Sequence, residues 1–186
     1  MNRLAKWFYL LWSLEGICYI PSGDFIISEM AKRCITKGTA SFNATIKDAG
    51  VEFPSLVLSD KGLFLSKERL SLYLLDQLLG CNDPHRLKSY LAKFEIDTTV
   101  VAHGLIDFEP AFIIGAKKID DKASKILVSK NFVPLGEARD DVIISYQKWT
   151  SVDALDNKLF PRIITIKSPG GFKTIALSEK LPNEER

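Results

Sequence analysis

The stretch FPRIITIKSPGGFKTIALSEK, residues 160–180, predicts two β-strands joined by a tight turn. Apolar and polar residues alternate along both arms, as they do in strands that bury one face. Between the arms lie Ser168, Pro169, Gly170 and Gly171, which are typical turn residues. A hairpin with one apolar face needs a larger sheet to join. We therefore expect the rest of the chain to supply that sheet.

The amino-acid composition indicates a folded, globular protein. The chain has 186 residues, 46% of them apolar, which is enough to bury a core and excludes a disordered chain. The 25 basic residues nearly balance the 23 acidic ones, so any nucleic-acid site must be a local basic patch. Cys18, Cys34 and Cys81 are odd in number and widely spaced. This pattern predicts a reducing cytoplasm, with neither a disulfide framework nor a metal site, and no motif indicates a cofactor.

The N-terminus resembles a targeting segment only in part. Arg3 and Lys6 precede the apolar run 7–12, but Ser13 and Glu15 interrupt it early. The run is too short to span a membrane, and no small-residue cleavage site follows. We therefore expect residues 7–14 to form a central strand, and we expect no contact with a membrane.

The first half of the chain predicts an α+β fold. Apolar spacing and capping residues predict helices over 24–37 and 67–79 and a third helix that starts at Asp83 and Pro84. Strands are expected at 49–53, 63–65 and 98–101, in addition to 7–14. This order matches a ferredoxin-like split βαβ domain over residues 1–109, with the third helix as an insertion.

The second half, residues 110–186, is predicted to contain a basic helix before the hairpin. Asp120 is a suitable cap for a helix over 121–130, and Lys122 and Lys125 share one side of it, with Lys118 leading into that side. Such a face is typical of a solvated surface, and lysines without intervening acids also suit phosphate groups. A strand over 142–146 and a polar connection over 149–158 follow.

Conventional catalytic signatures do not occur in the sequence. It contains no P-loop, no G-x-G-x-x-G, no nucleophile elbow and no H-E-x-x-H. His85 lies at a predicted helix start and His103 at a predicted strand end, and neither has an evident chemical partner nearby in sequence. Both histidines are therefore predicted to be structural or surface residues.

A resemblance to a known family extends along nearly all of the chain. The opening 6–9, the segment 50–54, and the closing residues 170–172 and 176–178 resemble strands of the CRISPR repeat-processing endoribonucleases of the type I-F branch. Ala116 and Lys117, together with Lys122, Lys125 and Lys130, fall where that family has an arginine-rich helix in the major groove of the repeat hairpin.

The resemblance implies a ferredoxin-like domain, a C-terminal half that grips RNA, and cleavage below the stem-loop without a metal. The implied partners are hairpin RNA and the backbone subunits of a CRISPR effector complex, with no direct contact to DNA. The implied RNA-binding residues are Lys118, Lys122, Lys125 and Lys130.

The chain departs from this family at the catalytic positions. Lys37 stands where the family has its catalytic histidine, and no histidine occurs before His85. The family's serine run corresponds to Lys148, Thr150 and Ser151 with the intervening tryptophan. A mostly protonated lysine is a poor base but stabilises developing charge. The expectation is therefore slow or absent cleavage of the RNA.

Two functions remain open from the sequence. The first is a binder of CRISPR repeat RNA that acts in guide-RNA processing or stays in the effector complex. The second is a phage- or plasmid-borne mimic of that protein, acting as an anti-CRISPR protein-interaction module. Neighbouring genes separate the two functions, because a repeat array and effector genes accompany only the first.

Overall fold

The computed structural model describes residues 20–33, 39–46, 51–59, 62–65, 68–70, 74–78, 84–155 and 157–179. Three α-helices occur in these ranges: α1 Gly23–Ala31, α2 Leu74–Leu78 and α3 Pro84–Lys93. The strands are β1 Thr39–Ile46, β2 Val51–Ser59, β3 Gly62–Leu65, β4 Glu68–Leu70, β5 Val101–Ile106, β6 Glu109–Ile114, β7 Lys125–Ser129, β8 Pro134–Arg139, β9 Val142–Val152, β10 Lys158–Ser168 and β11 Gly171–Glu179.

All eleven strands belong to one antiparallel sheet, in the order β4-β3-β2-β1-β11-β10-β9-β8-β7-β6-β5. The predicted C-terminal hairpin is confirmed, because Ser168 pairs with Gly171 and leaves Pro169 and Gly170 as the turn. β11 also pairs with β1, so this hairpin joins the strands β1–β4 to the strands β5–β9. The hairpin therefore lies at the centre of the sheet.

One face of the sheet carries the core, and the helices cover it. α1 contributes Ile26, Ile27 and Met30, each with no exposed surface. The sheet supplies alternate residues of its strands, which is the pattern of a face buried on one side. These include Phe42, Phe112, Ile114, Ile126, Val128, Ile144, Tyr146, Phe160, Ile164 and Ile175. Each such side chain contributes about 1.5–3 kcal/mol to folding when it is fully buried.

The expected ferredoxin-like fold is wrong. A split βαβ domain alternates strands with crossover helices, whereas β5 to β11 here pair one after another along the chain. The strand expected over 98–101 begins only at Val101, after a turn over Asp97 to Val100. The boundary expected between residues 109 and 110 falls at the start of β6, which pairs with β5.

The expected basic helix over 121–130 is also wrong. Its second half is β7, in which Ile126 and Val128 lie in the core. Its first half is a loop, where the Asp121 carboxylate accepts the backbone N–H groups of Lys117 at 3.0 Å and Lys118 at 2.9 Å. The run Lys-Ile-Leu-Val is too short for its period to separate helix from strand. Its β-branched residues and its pairing with β6 and β8 decide for the strand.

Several other predicted elements occur at the expected positions, although some differ in length from the prediction. α1 begins after the N-cap Ser22, whose Oγ accepts the Phe25 N–H at 3.3 Å. α3 begins at the predicted Pro84. The helix predicted over 67–79 is confirmed at Leu74–Leu78 and wrong at Glu68–Leu70, which form strand β4 paired with β3; the rest of that stretch lies outside the described residues. The strand predicted over 142–146 continues to Val152.

The predicted strand over 7–14 and the three cysteines lie outside the described residues. The structure describes no helix that is both long and apolar enough to cross a membrane.

The start of α1 packs closely against the end of the sheet that carries β5. A Cβ atom on Gly23 would lie 2.0 Å from the Thr98 carbonyl oxygen, so only glycine allows this approach. Asp24 also forms an ion pair with Lys88 of α3, with an N–O distance of 2.7 Å. The first contact holds the start of α1 beside β5, and the second joins α1 to α3. Pro21, just before α1, lines the site described next.

Candidate ligand-binding groove

The helix-covered face is open at the β5 end of the sheet. The opening is a groove with a volume of about 490 Å³. Its lining residues come from the segment before α1, from the hairpin β5–β6 and from the turn after β7: Pro21, His103, Gly104, Leu105, Pro110, Ala111, Phe112 and Lys130.

The pairing of β5 with β6 brings the apolar lining residues onto one face of the hairpin. His103 pairs with Phe112 and Leu105 pairs with Pro110, so these four side chains share the face that carries the core. Gly104, between them, faces the other way. A Cβ atom there would meet Ile113 and Ile119, each at 2.9 Å. The hairpin is thus packed on one face and open to the groove on the other.

A row of rings leads from the groove to α1, and its first two members, His103 and Phe112, line the groove. The His103 ring lies 5.2 Å from that of Phe112, and Phe112 stacks on Phe132 at 6.1 Å with an angle of 11° between the planes. Phe132 meets Phe25 of α1 edge to face at 5.5 Å. Such ring pairs add stability beyond their buried area and hold one another in place.

Backbone hydrogen bonds in the turn after β7 hold Phe132 and Lys130 in place. The Ser129 N–H donates to the Val133 carbonyl, and Phe132 donates to the Ser129 carbonyl, each at 2.9 Å. Phe132 has a φ of 58°, which is uncommon for a residue other than glycine, and the hydrogen bonds of the turn hold it there. Lys130, in the same turn, is exposed at the rim and is the fixed positive charge among the lining residues.

Apart from the groove, a polar cluster lies under the helices, around Glu137 of β8. Its carboxylate accepts the backbone N–H of Leu74 at 2.8 Å, the Tyr146 hydroxyl at 2.9 Å and the Tyr90 hydroxyl at 3.0 Å. The Arg139 Nε lies 3.8 Å from it. Burial raises the pKa of Glu137, while these hydrogen bonds and the Arg139 charge act in the opposite direction.

This cluster joins four elements through one side chain. Leu74 starts α2, Tyr90 belongs to α3, and Tyr146 lies on β9. Because each donor is satisfied by the carboxylate, we assign Glu137 to fastening the helices onto the sheet rather than to contact with a ligand.

The four lysines predicted to bind RNA do not share a helical face. Lys118 and Lys122 are exposed in the loop before β7, and Lys130 lies at the groove rim. Lys125 is only 5% exposed, and its ammonium donates to the backbone carbonyls of Asp121 and, at 3.3 Å, Ala123. Three of the four remain accessible, and an RNA-binding role for the set stays a prediction.

The residues aligned with the family's catalytic serine run lie on β9. Lys148 is exposed with a φ of 54°. The Thr150 hydroxyl accepts the Arg162 Nε–H at 2.5 Å, and the Ser151 hydroxyl donates to the Asn157 side-chain oxygen at 3.2 Å.

Adjacent strand residues point to opposite faces, so the Thr150 and Ser151 hydroxyls do not converge. Lys37 lies outside the described residues, and a catalytic role for these four residues stays a prediction. Within the ranges that the structure describes, no group of three or more His, Cys, Asp or Glu residues could hold a metal ion.

Sequence reasoning missed most of the groove. The sequence points to Lys130, but as an RNA-binding residue, and it predicts His103 to be a structural or surface residue. The sequence does carry a signal for part of the groove. The runs VAHGLI and EPAFII are separated by only two residues, Asp107 and Phe108, which is the pattern of a β-hairpin. A domain boundary placed at residue 110 divided that hairpin.

Comparisons with known proteins add little. No family model matches the chain, and no curated protein matches it. Among solved structures, the LolA superfamily protein NE2245 from Nitrosomonas europaea is similar over 89% of this chain and 97% of its own, with 11% sequence identity and a TM-score of 0.42. That likeness is too distant to show a family. None of these comparisons concerns CRISPR, and the sheet topology contradicts the ferredoxin-like fold that the resemblance implies.

Proposed function

We propose that this chain binds a small amphiphilic ligand, with an apolar body and an acidic head group, in the groove at the β5 end of the sheet. The observation that carries this proposal is the combination of an aromatic and aliphatic lining with one lysine at the rim. Binding of CRISPR repeat RNA, or mimicry of its processing enzyme, stays an untested prediction. The basic helix that motivated it is replaced by a loop and a strand.

The size and lining of the groove suit such a ligand. A volume of about 490 Å³ lies within the range of small-molecule sites, which are mostly apolar with a few polar groups that fix orientation. An apolar body that buries about 250 Å² gains about 6 kcal/mol, part of which is lost with its free motion. The Lys130 ammonium favours a carboxylate, sulfonate or phosphate head over a neutral or cationic one.

The test is a comparison of ligands that differ only in the head group. Decanoate, decanol and decyltrimethylammonium are titrated into the protein by calorimetry, below the concentrations at which they form micelles. We expect affinity to fall in that order, because the three share one apolar body and differ in charge at Lys130. Equal affinities for all three, or no binding of any, would contradict the proposal.

Two lysine variants locate the head group. We expect Lys130→Met to weaken decanoate binding about tenfold, which corresponds to about 1.4 kcal/mol, and to leave decanol binding nearly unchanged. Lys122→Met is the matched control, since Lys122 is exposed but does not line the groove. A similar loss in both variants would indicate a general charge effect rather than a site.

A further inference from the structure

The β5–β6 hairpin ends in a turn that carries an exposed aromatic ring. Its closing pair is Ile106 and Glu109. The two residues between them, Asp107 and Phe108, have φ values of 51° and 67°. Type I′ turns have such positive values and favour asparagine and glycine. Phe108 is 96% exposed there, so a large apolar ring stays in water on a backbone that disfavours it. This combination points to a contact with another molecule.

The exposed ring lies beside the groove. Successive strands of this sheet are antiparallel, so the turn after β5 and the turn after β7, which contains Lys130, lie at the same end of the sheet. Leu105 and Pro110 line the groove and form the pair next to the closing pair of the Phe108 turn. Among the described residues, Phe108 and Leu105 are the large apolar side chains with the highest exposure, 96% and 64%. The groove and an exposed apolar tip are therefore neighbours.

We propose that the turn of Asp107 and Phe108 docks on the surface of a lipid bilayer, with the Phe108 ring inserted below the head groups, and that the groove exchanges its ligand with that bilayer. The exchange rests on the ligand proposed above, because molecules with an apolar body and an acidic head collect in bilayers. The docking rests on the turn alone.

A bilayer suits this tip better than a protein partner does. A phenyl ring buries about 150–250 Å² when it is enclosed. Stable protein interfaces bury about 800 Å² on each partner, which one ring on a two-residue turn does not supply. A bilayer needs no such area and no matching pocket, because the boundary between head groups and acyl chains accepts apolar side chains whose neighbours stay in water.

The charged residues around the tip determine which lipids it favours. Asp107 and Glu109, on either side of Phe108, are exposed and acidic, and Lys130 is the basic residue of the neighbouring turn. Two acidic residues against one basic residue give no net attraction to an anionic surface. We therefore expect the tip to dock on zwitterionic lipid, driven by its apolar ring.

Such docking is weak and reversible. One ring contributes less than a myristoyl chain, which by itself binds membranes only marginally. The sequence predicted no membrane contact, because the run 7–12 is too short to span a bilayer. Docking of a turn on the surface needs no spanning segment, so that argument does not apply to it.

The test is cosedimentation of the full chain with phosphatidylcholine vesicles, without added amphiphile, from about 0.1 to about 10 mM lipid. We expect binding that is no stronger when about a third of the lipid is phosphatidylglycerol. Phe108→Gly should weaken it about tenfold and leave the circular dichroism unchanged, because glycine accepts a positive φ. Phe108→Trp should bind at least as well as wild type, because tryptophan favours the membrane interface.

Phe172→Ala is the matched control. Phe172 is 55% exposed next to the turn of the β10–β11 hairpin, at the opposite end of the sheet from Phe108. This variant should bind vesicles like wild type, and an equal loss in both variants would overturn the proposal. So would the absence of vesicle binding, binding that Phe108→Gly retains, or binding that requires phosphatidylglycerol.

The vesicle experiment is separate from the test of the ligand site. Phe108 is not among the groove-lining residues, so Phe108→Gly should leave the calorimetric affinity for decanoate in buffer unchanged. Vesicle binding without decanoate binding would contradict the proposed ligand and leave the docking intact. Decanoate binding without vesicle binding would overturn the docking and leave the ligand site intact.

Discussion

Replacement of Glu137 by leucine is the most direct test of how the helices are held on the sheet. Glu137 is 1% exposed, and its carboxylate accepts hydrogen bonds from Leu74, Tyr90 and Tyr146. Leucine is similar in size but has no acceptor. The variant therefore takes the carboxylate away from two buried donors, Leu74 N–H and the Tyr146 hydroxyl, and from the part-buried Tyr90 hydroxyl. The nearby Arg139 loses the carboxylate as well.

The magnitude follows from those three donors. A buried donor left without an acceptor costs about 1–3 kcal/mol, so the gross loss is several kcal/mol. Leucine recovers part of this through its apolar surface, about 1.5–3 kcal/mol when it is fully buried. We expect a net loss of about 3–5 kcal/mol, as for other buried charges that lose one partner. That is a large share of the 5–15 kcal/mol or so that is typical of a folded domain.

Urea unfolding followed by far-UV circular dichroism measures the free energy of unfolding directly. Glu109→Gln is the control, because Glu109 is exposed at the start of β6, and it should change stability by less than about 0.5 kcal/mol. Tyr146→Phe, alone and combined with Glu137→Leu, gives the coupling between the two side chains. A loss below about 1 kcal/mol in Glu137→Leu would refute the assignment of Glu137 as the residue that fastens the helices.

The sequence predicted the C-terminal hairpin well because local chemistry specifies it fully. Alternation sets the two faces, and Pro169 and Gly170 set the turn, so no distant contact is needed to choose the structure. α1 and α3 were recovered for the same reason, since Ser22 and Pro84 mark where they begin.

The fold class was not predictable from these local signals, because strand order depends on partners far apart in sequence. β7 shows the difficulty. Lys125 and Ile126 fit a helix that starts at Asp121 as well as they fit a strand. The choice is made by β6 and β8 on either side, which bury Ile126 and Val128 in the core.

The candidate site was predictable only in fragments. Lys130 was recognisable as a basic residue, but its neighbours in space, Phe112 and Pro21, are far from it in sequence. Glu137 carried no local sign of burial, because an acidic residue in a strand usually faces solvent. Its three donors come from α2, α3 and β9, and only the assembled sheet brings them together.

Two further predictions concern buried charge. Lys125→Met should cost about 1–2 kcal/mol in urea unfolding, because the ammonium that binds the loop carbonyls is lost, whereas the exposed Lys122→Met should change little; equal effects would contradict the structural role of Lys125. The second prediction is a pH dependence that Glu137→Gln removes. Burial, the largest influence, raises the folded-state pKa of Glu137 above 4.5. The folded chain then holds more protons than the unfolded chain between the two pKa values, so stability falls as pH rises through that window. The unfolding free energy of wild type minus that of Glu137→Gln should therefore be constant below about pH 4.5 and decrease above it. Other groups, including Asp97 with its lowered pKa, cancel in this difference. A difference that increases with pH would mean that the hydrogen bonds and Arg139 outweigh burial. The folded-state pKa of Glu137 would then be lowered, and folding would favour the ionised carboxylate.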